Sequence, residues 1–157
     1  MAAEAGQEQR DVLVQLVVFQ LGDELYGADI SAVREVGPLQ RVTKVPRTPS
    51  YLEGVTNLRG RVIPVIDLRK RLGLPVRAAT KSTRIAVAEL DGGQVGMVVD
   101  AVLEVLRVSA KDIEPPTALL SKVDSDYVTG VAKVKDKLIV LLDLSRVLVR
   151  EERKVVS

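Results

Sequence analysis

Residues 54 to 68 read GVTNLRGRVIPVIDL, and at 130 to 144, a shift of 76 positions, the chain reads GVAKVKDKLIVLLDL. The stretches agree at Gly54, Val55, Ile63, Asp67 and Leu68, and by type at Val65. A second pair recurs in the same order. Shifted by 69, VVFQLGDELYGADISAVREV (17 to 36) falls on AVAELDGGQVGMVVDAVLEV (86 to 105), matching Val18 with Val87, Leu21 with Leu90, Gly27 with Gly96 and AVxEV with AVxEV. The shift grows because the second connection is longer, with Pro115, Pro116 and a polar run from Ser121 to Asp126. Two blocks repeated in one order describe a chain of two related lobes.

Both blocks are built from β-formers. Val12 to Leu21 alternates or runs apolar, turns at GDE and continues from Leu25 to Ala28, and Arg84 to Leu90 turns at DGG into Val95 to Val99. Each reads as a hairpin. A second hairpin per lobe joins Val55–Leu58 to Val62–Ile66, and Val131–Val134 to Leu138–Leu142. Four or five short strands with tight turns predict a small barrel in each lobe, because closure removes exposed edges. Helical signals are short. Asp29 to Val36 reads as a turn or two of helix, SAKD at 109 to 112 resembles a capping box, and Leu68 to Leu72 stops at Gly73 with Pro75 beyond. A C-terminal helix is expected to place Leu144, Val147 and Leu148 on one face, capped by Asp143 or Ser145 and followed by a polar tail.

The composition excludes much chemistry. The 157 residues contain no Cys and no His, which removes disulfides, thiolate or imidazole zinc sites, Cys nucleophiles and imidazole proton shuttles. No catalytic residue, cofactor or metal ligand is assigned. Phe19, Tyr26, Tyr51 and Tyr127 are the only aromatics, too few for a platform on which bases stack. The acidic start MAAEAGQEQRD lacks a signal-peptide pattern, and VLVQLVVFQLG is too short to span a bilayer. A cytoplasmic protein without direct membrane insertion is expected.

Charge is uneven, although the net value is +2. Between Gly37 and Arg84 eleven Lys or Arg stand against Glu53 and Asp67, whereas residues 1 to 36 hold seven acids against Arg10 and Arg34. Such a block is either a dispersed solvated surface or a face for an acidic partner.

Asn57, the only asparagine in the chain, lies in NLRGR, which takes the hairpin-turn place that KVKDK takes in the second lobe. A turn alone does not require Asn57 and Arg59. Gly60 supplies backbone freedom, and the planar fork of Arg59 suits a carboxylate such as Glu35. The repeated Asp67 and Asp143 invite comparison with a carboxylate dyad. Both are followed by Leu and sit where a strand meets a helix, so N-capping accounts for them better. Gly92, Gly93 and Gly96 superficially resemble a dinucleotide fingerprint, but β-like sequence follows them where a helix would have to begin.

LGDELYGADISAVREV, VPRTPSYLEGVTNLRGRVIPVIDLRKRLGL, VGMVVDAVLEVL and YVTGVAKVKDKLIVLLDL resemble the CheW family, the coupling proteins of bacterial chemotaxis, over about residues 12 to 150. The resemblance implies a mainly β fold of two five-stranded SH3-like barrels. The expected organisation is a tail at 1–11, lobes at about 12–75 and 84–142 with strand exchange allowed between them, and a helix and tail at 143–157. It also implies a non-enzymatic adaptor that joins the cytoplasmic tips of methyl-accepting chemoreceptors to the regulatory domain of the histidine kinase CheA, at membrane-receptor arrays. The family's receptor-facing positions fall on Val33, Glu35, Gly54, Arg59, Val102 and Val105, with Ile30 and Val99 beside them in a groove between lobes. Kinase-facing residues are not assigned. The alternative reading is a basic double barrel that binds nucleic acid through residues 37 to 84; the adaptor reading expects no nucleic acid.

Overall fold

Four hairpin strands read from the sequence form two hairpins from the first half of the chain: β1 (Leu13–Leu21) with β2 (Glu24–Asp29), and β4 (Leu52–Leu58) with β5 (Arg61–Asp67). The second half supplies β6 (Arg84–Leu90) with β7 (Gly93–Val99), and β10 (Val128–Val134) with β11 (Lys137–Leu142). Single strands β3 (Val33–Pro38), β8 (Ala101–Ser109) and β9 (Ile113–Glu114) complete the set. A computed structural model describes residues 12–91, 93–116 and 125–149.

The halves do not form separate sheets. One sheet runs β8-β1-β2-β11-β10-β9, the other β3-β6-β7-β5-β4. Each therefore takes one hairpin from each half of the chain. The joints are parallel pairings, β2 with β11 and β7 with β5, in otherwise antiparallel sheets. Under the shifts of 69 and 76 the two strand orders are the same. The two-residue β9 beside β10 also has a counterpart, the bridge between Thr43 and Val55 beside β4. That short strand makes the first sheet six-stranded instead of five.

Period-2 alternation sends opposite faces of the strands to different cores. Leu16 and Val18 of β1 pack with Ile139 and Leu141 inside the first sheet, and Ile85 and Val87 of β6 pack with Ile63 and Val65 inside the second. The other faces, among them Phe19, Tyr26, Met97, Val99 and Val140, meet in a third cluster shared by both sheets. With both faces covered, these strands read as nearly continuous apolar runs.

The expected helix at Asp29 to Val36 is corrected. A single 3-10 turn, Ile30–Ala32, capped by Asp29, leads into β3, whose exposure alternates residue by residue. Pairing with β6 outweighs weak helix propensity there. Helix α1 (Leu68–Leu72) is capped by Asp67 and closed by Gly73 in the left-handed region. Of the C-terminal helix, one wide turn at Ser145–Val149 is described, with Leu144, Val147 and Leu148 buried. Residues 150–157 and the tail at 1–11 lie outside the described residues.

Two polar groupings hold the seam. Buried Arg69 lies 3.3 Å from Asp67 and 2.9 Å from Asp100, and Asp100 accepts the backbone N–H of Gly22 at 2.6 Å. This ties α1, the β7–β8 junction and the β1–β2 turn together. Arg71 lies between the rings of Tyr51 and Tyr127, which are related by the repeat, and donates to the carbonyl of Val147 at 2.9 Å. Removing one member of a buried ion cluster strands the remaining charge, so Arg69→Leu is expected to cost about 3–5 kcal/mol in urea unfolding.

Tyr26 is fully buried and stacked on Phe19, and its hydroxyl has no hydrogen-bond partner among the described residues. Burial, with the charge of Glu24 second, pushes its pKa from 10.0 up to about 12. A raised folded-state pKa gives stability that is complete below the unfolded value and lost as pH rises through the folded one. Tyr26→Phe is expected to keep or raise stability at neutral pH, since an unsatisfied buried hydroxyl is removed. It should also lose less than the parent protein on moving to about pH 11, read from urea midpoints at both pH values.

Candidate functional site

The β4–β5 turn answers the question raised by Asn57. Leu58 pairs with Arg61 across a two-residue connection in which Arg59 and Gly60 both have positive φ, 53° and 83°. That is the primed turn whose twist matches the strands it joins. The side-chain oxygen of Asn57 accepts the N–H of Gly60 at 2.9 Å, so the expectation that the turn does not need Asn57 is corrected. Lys135, the repeat counterpart of Arg59, also has positive φ, 56°. A long side chain held in that region carries strain, which the two-residue turn imposes at Arg59 and Lys135 alike.

Arg59 is 80% exposed and lies 3.1 Å from Glu35, which is 25% exposed. Glu35 projects from β3, an edge of the second sheet, and Arg59 from the turn beside β4, the other edge. The pair stands at a cleft of about 350 Å³ with Ile63, Ile85 and Val87 among its lining residues. An exposed ion pair is worth about 0–1 kcal/mol, so its value lies in position more than in stability.

The remaining sequence-assigned positions separate into three groups. Val33 and Val102, repeat counterparts on β3 and β8, are partly buried against the shared core. Val105 is 52% exposed on β8, and Ile30 is half-buried in the 3-10 turn. Val99 is fully buried in the shared core and offers no surface, which corrects its placement in a groove. Gly54 is buried, with φ of 143°, and a Cβ there would meet the Thr43 carbonyl oxygen at 2.0 Å. It therefore shapes the site from beneath by letting the 43–44 backbone pass. Sequence reading missed Val36, 42% exposed on β3. The signal was available, because Val36 is the repeat counterpart of Val105.

Asp67 and Asp143 cap the segments that follow them, accepting from the backbone N–H of Arg69 and Ser145. Six of the eleven bases in the basic block are engaged within the chain. Arg59, Arg69, Lys70 and Arg77 face carboxylates, Arg71 is held by tyrosine rings, and Arg84 donates to the Lys81 and Thr83 carbonyls. Among the described residues no helix is long and apolar enough to cross a membrane.

Compared with known families, residues 15–152 match the CheW-like domain. The chain belongs to the CheW family. The CheW chemotaxis protein of Rhizobium meliloti is 36% identical over 140 residues, covering 89% of this chain and 90% of that protein. The CheW chemotaxis protein of Helicobacter pylori is 34% identical over 151 residues, covering 96% and 90%. The crystal structure of the scaffolding protein TtCheW from Thermoanaerobacter tengcongensis superposes with a TM-score of 0.81 at 43% identity, covering 87% of this chain and 92% of that one.

Gly54→Ala and Asn57→Ala separate the two supports of this CheW site. Gly54→Ala should cost well over 1 kcal/mol, because the Thr43–Val55 bridge must open. Asn57→Ala should cost only about 1 kcal/mol, the worth of one hydrogen bond. Chemical denaturation of the two variants checks the ranking.

Proposed function

We propose that this CheW-family chain is a scaffold that works by binding alone, joining the cytoplasmic tip of a methyl-accepting chemoreceptor to the regulatory domain of the histidine kinase CheA at membrane-receptor arrays. The observation that carries the reading is the Glu35–Arg59 pair at the edge of an apolar cleft, with Arg59 held by a turn that Asn57 locks. A receptor tip is a helical hairpin. Its apolar ridge would pack on Val33, Val102, Val105 and Ile30, which lie outside the lining of that cleft, while Glu35 and Arg59 set register at the rim. Gly54 and Val99 act from beneath, one by admitting the Thr43 backbone and the other by filling the shared core. Charge at the rim governs orientation and rate of encounter more than total affinity.

Co-sedimentation with a receptor signalling fragment and CheA tests this. Glu35→Lys and Arg59→Glu should each reduce capture by about tenfold or more, with stabilities within about 0.5 kcal/mol of the parent, since a reversed charge sets like against like across the interface while an exposed pair adds little to folding. Unchanged capture in both variants would remove the site from the reading.

A further inference from the structure

Two cavities are related by the repeat, and their chemistry has diverged. One, about 340 Å³, has Val42, Glu53, Asp67, Thr83 and Val98 in its lining. The other, about 370 Å³, has Ile113, Thr129, Asp143, Val14 and Asp29 in the corresponding places. The shifts of 76 and 69 give four of these matches, and the Thr43–Val55 and Glu114–Val131 pairings give Val42 with Ile113. The first cavity adds Lys44, Arg69 and Arg77 to its lining. Among the described residues the second has no cation, with Ser145 in place of Arg69 and Asp29 in place of Val98. A ligand that distinguishes the two cavities does so by charge.

The charges of the first cavity are not all spent. Both oxygens of Asp67 accept from Arg69, whose other partner is Asp100, and Glu53 lies 3.5 Å from Lys70. Lys44, by contrast, makes no ion pair among the described residues. Arg77 lies 3.7 Å from an almost fully exposed Asp23, a contact of little strength. Two exposed cations therefore border a cavity whose other charges are balanced. The buried Thr83 hydroxyl accepts the Thr80 N–H at 2.8 Å and keeps its own proton to donate. Leu39, Val42, Val76 and Val98 supply apolar wall. Mostly apolar walls with a few polar groups are the anatomy of a small-molecule site, and the volume falls at the lower end of the usual range of about 300–1,000 Å³.

We propose that this cavity binds a small organic anion with a branched apolar body, its carboxylate held by Lys44 and Arg77 with Thr83 as a further donor, and its body against the four apolar side chains. The second cavity, with carboxylates and no cation, rejects the same ligand. Gln40 is the only lining residue shared with the cleft at Glu35 and Arg59. The inference is therefore independent of what docks at that cleft.

Backbone amide shifts recorded while 4-methylpentanoate is added to the full chain test this. Saturable shifts are expected at 42–44, 76–79, 83 and 98, with a Kd of about 1 mM for so small a ligand. Amides at 14, 29, 113 and 129 should stay fixed. 4-Methylpentylamine, alike in body and opposite in charge, should move neither set, and inorganic phosphate, an anion without the body, should bind about tenfold more weakly or worse. Lys44→Ala combined with Arg77→Ala should weaken 4-methylpentanoate about tenfold or more. Both side chains are exposed, so the fold is expected to survive, and Lys133→Ala, outside the cavity, should leave the Kd unchanged. No saturation by about 20 mM, well above the expected Kd, would overturn the proposal. So would equal shifts in the two cavities, equal binding of the amine or of phosphate, or an unchanged Kd in the double variant.

Discussion

Two parallel pairings hold this molecule together. β2 lies beside β11 and β7 beside β5, and each joint connects strands from different halves of the repeat. A close approach makes both possible. A Cβ on Gly27 would come within 3.2 Å of Ile139 and Leu141, and one on Gly96 within 3.4 Å of Ile85 and Val65. The repeated glycine therefore sits at the repeated joint, pressed by Ile139 and Leu141 of β11 in one sheet and by Val65 of β5 and Ile85 of β6 in the other. Because the paired strands are far apart in sequence, their loop-closure entropy must be met before the contacts reward it. Neither half can complete a sheet alone.

The exchange explains why the third core is shared. Once each sheet contains a hairpin from each half, the faces turned away from the sheet interiors meet, and Phe19, Tyr26, Met97 and Val140 fill one cluster. Charged groups enter only where they are paired or clamped. Arg69 bridges Asp67 and Asp100, and Arg71 lies between Tyr51 and Tyr127, one ring from each half. Arg71 has no basic counterpart, since the shift of 76 places Val147 there and Arg71 donates to its carbonyl. One cation thus serves both halves near their junction.

The same geometry leaves two matching edges uncovered. β3 and β8 are counterpart edge strands, and edges keep backbone groups and outward side chains available. They have diverged at one outward position, since Arg34 of β3 corresponds to Leu103 of β8, whereas Glu35 has the like counterpart Glu104. A duplicated frame thus carries two edges that are alike in backbone and unlike in surface.

The sequence by itself determined the hairpins, the repeat, the caps at Asp67 and Asp143, and the pairing of Glu35 with Arg59. These follow from local rules of period-2 patterning, turn chemistry and charge, with the pairing guided by the repeat. The role of Asn57 was local too, yet it was missed, because only the turn geometry shows its oxygen meeting the Gly60 N–H. Tertiary structure alone decided which hairpin joins which sheet, that β3 is a strand, that Val99 is interior and that Gly54 lies under Thr43. The physical reason is shared by these four. Each depends on a partner distant in sequence or on which of two buried faces a side chain occupies, and an apolar run covered on both sides is silent about both.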